Sequence, residues 1–226
     1  GTVYLTAGDN DATGLNGISL DAQITTVDGD VLLSSADDIV QTALITTTSG
    51  DVGLIATDLI SQSATGDITT TSGDVLVDAG GDWTMNADAT ITAGGQDVLG
   101  QAGGTITLGV ISLTNATANR VALSAGGSIL DANAASVNIQ ETVSGAATSL
   151  SLRAGGAIGA AGGGTPGVND NALDLNVDTV AATAAGGIYL HELAAGGAIT
   201  VGTASAVTVD VNDVLRANFN STTTDV

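Results

Sequence analysis

The chain of 226 residues sets 24 acidic residues against three Arg and no Lys, a net charge of −21. That balance disfavours nucleic acid and anionic membrane surfaces as partners, and no apolar run approaches the roughly 20 residues of a membrane-spanning helix. The absence of Cys excludes disulfides and thiolate metal sites, while 43% hydrophobic content excludes a disordered Gly-rich linker.

The chain opens on Val3-Tyr4-Leu5-Thr6-Ala7, already in strand alternation and without an initiator Met, as expected of a processed product or a piece of a longer chain. The same apolar-x-apolar phrase, closing on Ala or Gly and then an apolar residue, returns at Val31–Ile39, Val52–Ile60, Val75–Trp83, Val121–Ile129 and Leu150–Ile158. A longer copy is read at Ile188–Ile199, and the wide gap between Val75 and Val121 reads as two turns with Ile106–Leu108 inside it. Between these copies runs a second phrase. Ile45–Val52 (ITTTSGDV) is repeated letter for letter as Ile68–Val75, with a looser form at Ile24–Val31.

This is strand language: short alternating runs broken by Gly, Asp and Ser-Gly, with no sustained helical stripe. Short strands could also form an antiparallel sandwich. In a sandwich, however, successive strands meet different neighbours and need not resemble one another. In a solenoid each strand stacks on its equivalent one turn later, so a period in the low twenties is expected. The fold class is therefore all-β, a right-handed parallel β-helix of about 8–10 coils of irregular length, forming a single domain over residues 1–226. Within one coil, Ile45 and Thr47 face one way and Thr46 and Thr48 the other. Ser49-Gly50-Asp51 turns, with Gly50 free to take a positive φ.

After Gly94 the coils lengthen and become richer in Ala and Gly. Ala160–Asp170, with the only Pro (Pro166), reads as a bulge and as the one candidate subdomain break. Leu173, Leu175 and Val177 restart the coils. Val207–Val211 is a last strand before Phe219 and the polar tail Asn220–Val226.

The phrase apolar-x-apolar-x-Ala-Gly-Gly-x-Ile, as in Val121–Ile129 and Leu150–Ile158, resembles the repeats of filamentous-haemagglutinin-like adhesins and related giant bacterial exoproteins. Leu173–Val201 resembles a unit common in those chains. The resemblance implies a right-handed parallel β-helix, secreted and displayed at the bacterial cell surface, serving adhesion, contact or matrix-building. It is specific for architecture more than for function.

Asp30, Asp51 and Asp74 occupy equivalent turn positions. They are either solvated turn caps or a Ca²⁺ ladder, and as metal ligands they are weak candidates because the Gly-Gly-x-Gly-x-Asp nonapeptide and the EF-hand loop are absent. No other cofactor is expected. Thr25, Thr46, Thr48, Thr69 and Thr71 form an outward Thr array, read as ordinary sheet surface ahead of an ice-binding face. His191 beside Glu192 is a conceivable acid–base pair, but no nucleophile or basic cluster accompanies it, so no enzyme is expected. Trp83 and Met85 read as core, with a sugar-stacking platform as the alternative.

The ends of the solenoid are the strongest candidates for function. Val3, Tyr4 and Leu5 at one end, and Val207, Val209 and Val211 at the other, are read as terminal coils whose strand edges associate with further copies of the chain. A homopolymer is the leading expectation. A glycan- or cell-binding β-helix is the alternative, and a carbohydrate-active β-helix enzyme is the last choice.

Overall fold

The computed structural model describes residues 1–8, 17–134, 136–161, 171–193, 199–211 and 214–217. Three parallel sheets wind round one interior. Sheet 1 stacks nine strands, from Val3–Ala7 and Val31–Ser35 up to Thr179–Ala184 and Thr200–Val201. Sheet 2 stacks six, from Ile18–Leu20 to Ile129–Asp131, and is continued by single bridges at Ile158 and Ile188. Sheet 3 stacks eight, from Ile24–Thr26 to Leu190–Glu192. The described residues thus form eight coils and the first strand of a ninth: a parallel β-helix, as the repeats require.

Register explains the repeats. Val3, Val31, Val52, Val75, Val98, Val121, Leu150, Val180 and Val201 stand in one inward column of sheet 1. Ile39, Ile60, Trp83, Ile106 and Ile129 form another in sheet 2. Each residue packs against a near-copy of itself, so Val, Ile, Leu and Ala fill the interior with few rings.

One reading of the repeats holds and one needs correction. The gap between Val75 and Val121 is two turns with Ile106–Leu108 inside it. The coil missing between Val75 and Val121 begins at Asp97–Ala102, with Ile106–Leu108 as its second strand. The late phrase is Val180–Ile188, so Ile188 belongs to the sheet 2 column and does not start a sheet 1 strand.

The glycines follow from stacking, and Gly50 is not needed for a positive φ. Among the described glycines only Gly145 and Gly159 have one. A Cβ on Gly50 would lie 2.2 Å from the Gly29 carbonyl oxygen, and one on Gly73 would lie 2.0 Å from that of Gly50. Gly80, Gly103, Gly126 and Gly155 repeat this at the next corner, each with a carbonyl oxygen 2.0–2.1 Å from where its Cβ would sit. Coils one strand spacing apart leave no room there for a side chain.

Several polar groups inside the rod are paired, either within one turn or from coil to coil. Thr26, Thr47 and Thr70 point inward and donate to the carbonyls of Gly29, Gly50 and Gly73, closing each turn. Gln62 donates to Gln41 Oε1 (3.1 Å) and accepts from the Trp83 indole N–H (2.9 Å). Trp83 and Met85 are fully buried, so they form core and no sugar platform. Gly100 stands in the Leu column between Val77 and Leu123 because a Cβ there would lie 2.4 Å from the Trp83 ring. Most of the 160–170 loop, together with Phe219 and the tail, lies outside the described residues.

Candidate functional site

The Asp column expected at the Gly-Asp turns is present and longer than the sequence suggested. Asp30 Oδ1 accepts from the Asp51 N–H (3.0 Å), Asp51 Oδ1 from the Asp74 N–H (2.7 Å), and Asp74 Oδ1 from the Asp97 N–H (2.9 Å). Asp97 ends the ladder in a two-bonded pair with Arg120 (2.5 and 2.7 Å). The carboxylates of Asp30, Asp51 and Asp74 each cap the backbone one coil further on. The short Asp side chain reaches that amide, which gives a reason for the excess of Asp over Glu.

Burial pushes the Asp51 carboxyl up to about 6, against the pull of the Asp74 N–H; the Asp74, Asp30 and Asp210 carboxylates reinforce the rise. Burial raises Asp74 and Asp97 as well, with backbone amides and Arg120 opposing it. Asp30, Asp51 and Asp74 therefore act as coil-to-coil caps. A separate acidic cluster, Asp37, Asp38 and Asp58, brings its oxygens within 4.8 Å of one another, and Asp38 Oδ1 caps the Leu59 N–H (2.9 Å).

The C-terminal prediction is corrected. Val207, Val209 and Val211 are not in a terminal coil. After Thr200–Val201 the chain turns back and runs along the outside of sheet 1, ending in an antiparallel hairpin of Thr208–Val211 with Val214–Ala217. Val207, Val209 and Val211 are fully buried against Leu32, Leu76, Leu99 and Ala122, which form an outward row of sheet 1. Val211 sits over Gly53, whose missing side chain makes its seat: a Cβ there would lie 3.3 Å from Val211 Cβ. We call this segment the strap. Its physical cause is visible in Val31-Leu32-Leu33 and Val75-Leu76-Val77: strands apolar on both faces need cover on both.

Coil 1 keeps the predicted exposure. Its strands are outermost in all three sheets. Leu5 belongs to the inward column of Leu33 and Leu54, which are fully buried, yet Leu5 is 40% exposed and Tyr4 56%. At the far end Val201 is also exposed, although Val180 beneath it in the same column is buried.

His191 does not pair with Glu192. It stacks on Asp174 of the previous coil, Nδ1 lying 2.7 Å from Asp174 Oδ1, while Glu192 stacks over Leu175. Asp174 is buried, which raises its pKa, and His191 opposes the rise. The outward Thr row holds for Thr25, Thr46 and Thr69, to which Thr92 adds a fourth rung, whereas Thr48 and Thr71 lie past the strand ends at Thr47 and Thr70.

Sequence reasoning missed Arg120, Asp97 and the strap. The 23-residue step from Asp74 to Asp97 and the doubly apolar strands were the available signals.

Residues 2–108 match the family model described as Toastrack DUF4097, a span that covers coils 1 to 4 and most of coil 5. The match agrees with a β-solenoid repeat fold. No curated protein and no solved structure matches the chain.

Proposed function

We propose that the chain is a structural rod of an extracellular bacterial surface protein, that copies add to it end to end through the open coil edges, and that it performs no catalysis. The observation that carries this reading is coil 1: three outermost strands above which every column repeats, with Leu5 left half uncovered in a column otherwise closed. Such an edge is a template for another coil of the same pattern. The net charge of −21 works in the same direction. Acidic flanks repel side-by-side contact, whereas an end contact is made by backbone hydrogen bonds and apolar columns. The likeness of the Ala-Gly-Gly phrases to filamentous-haemagglutinin-like repeats supports the surface location.

Negative-stain electron microscopy tests the proposal. Unbranched fibres with an axial repeat of about 38–43 Å are expected, the length of eight to nine coils at about 4.8 Å each. Leu5→Asp should shorten them to single rods. Single rods from the unaltered chain at micromolar concentration would sink the reading.

A further inference from the structure

Coil 8 breaks the pattern of the coils below it at one position. In sheet 3 an inward column runs Ile24, Ile45, Ile68, Ile91, Ile111, Ile139 and Leu175, and the residue stacked next on Leu175 is Glu192. Every member from Ile45 to Leu175 is fully buried. The direction of Glu192 is fixed by its neighbour. His191 points outward to Asp174, Nδ1 lying 2.7 Å from Oδ1, so strand alternation turns Leu190 and Glu192 inward. Leu190 packs on the core accordingly. The matching columns of the other two sheets stay apolar at this end, closing on Ile188 in sheet 2 and Val201 in sheet 1.

The same end shows how a further copy would seat. Thr200–Val201 pairs with Thr179 and Val180 and leaves Ala181–Ala184 of that strand open. An added copy in the pattern of the coils sets its Val3–Ala7 along this edge, with Val3 over Val180. It displaces only the two exposed residues Thr200 and Val201, a weak edge against a five-residue strand. Its Ile18 then meets Ile188, and its Ile24 meets Glu192. The lower face of the contact offers isoleucine where the upper face offers a carboxylate.

We propose that Glu192 is a gate on end-to-end addition: it weakens the contact by standing beneath Ile24 of the incoming copy, and so keeps fibre growth reversible. The inference rests on the end-to-end reading and adds to it the residue that sets the strength of the contact. In a single rod Glu192 is half-buried on the last rung of sheet 3. Stacking a coil on it takes the carboxylate further from solvent, a cost that Ile or Leu in its place would not carry. The incoming coil brings no side-chain cation to offset it, since residues 1–30 hold no Lys or Arg. An inward-pointing charge on an edge strand is a general guard against uncontrolled edge pairing.

Sedimentation velocity over a concentration series tests the gate by giving the Kd of the end contact. Glu192→Leu completes the column and should tighten that Kd at least about tenfold, the effect of burying one apolar side chain. Glu192→Gln, neutral but polar, should tighten it by less. Asp88→Asn removes one exposed acid from the flank of the rod and should leave the Kd unchanged at about 0.15 M salt, which separates the gate from net charge. Circular dichroism establishes that each variant folds, and Glu192→Gln decides the matter if Glu192→Leu does not fold. An unaltered Kd in the folded Glu192 variant, or equal tightening by Asp88→Asn, would overturn the gate while fibres of the unaltered chain leave the end-to-end reading standing. Fibres from Glu192→Leu beside single rods from the unaltered chain would uphold the gate and overturn that reading. Single rods from both would overturn both.

Discussion

Coils 2 to 5 and coils 6 to 8 share one winding and solve it differently. In the lower coils the step is 21 or 23 residues, the outward row of sheet 1 carries Leu32, Leu76 and Leu99, and the Val side chains of the strap cover it. In the upper coils the step grows to 29 and 30 residues, and the same row carries Ala122, Ser151 and Ala181. There the polar groups are buried in irregular networks, such as Asp131, Asn133 and Asn138 beneath Asp174. A coil that copies its neighbour must be self-complementary at every position, which leaves it nothing with which to recognise another molecule. The longer coils give up that symmetry and gain corners where unlike groups converge.

The same glycine substitution should separate a stacked corner, found in both regions, most widely from the open turns that only the longer coils have. Gly73→Ala puts a Cβ 2.0 Å from a backbone oxygen and should destabilise by at least about 3 kcal/mol in urea unfolding. Gly145→Ala meets open space and is strained only by its φ of 90°, which should cost about 1–2 kcal/mol. Equal losses would mean that a stacked corner is no tighter than the open turn at Gly145.

The outward row gives the next contrast. Leu76→Ala empties the seat of the strap and should cost about 2–4 kcal/mol, with hydrogen exchange quickening at residues 207–211 before the coils. Ser151→Ala, one row position but three coils away, removes a buried hydroxyl without a partner and should be neutral or slightly stabilising.

The smallest effect is that of pH. The Asp51 carboxyl is raised from 3.8 to about 6 by folding, so the folded chain keeps a proton that the unfolded chain releases. That contribution is complete below about pH 4 and is lost as pH rises through about 6, and the raised Asp74 and Asp97 act in the same sense. Thermal melting should therefore occur at higher temperature at pH 5 than at pH 8, and Asp51→Asn should flatten the difference.

The winding was legible because ITTTSGDV and the Ala-Gly-Gly phrases state the register directly. The coil at Val98 was hidden because Gly100 replaces the Leu of the phrase, a loss explained only by Trp83, which lies on another sheet of the coil below. The copy at Val180 was hidden because Ala181 and Ala182 blur the alternation, and Ile188-Tyr189-Leu190 looks more like a strand opening. Val207–Val211 alternates as any coil strand does, and nothing local tells a strand that joins a ladder from one that crosses it.

That doubling back sets a length. Val201 sits on coil 9 and Val211 over Gly53 on coil 3, so ten residues cross six strand spacings, about 29 Å at about 4.8 Å each. A fully extended chain of ten residues reaches at most about 33–36 Å. The strap is thus a nearly taut gauge. Coils can be gained by duplication in the gene with every internal contact preserved, but one more coil between Gly53 and Val201 would use up the slack, and a second would pull Val211 from its seat. The number of coils beneath the strap is counted by the strap itself.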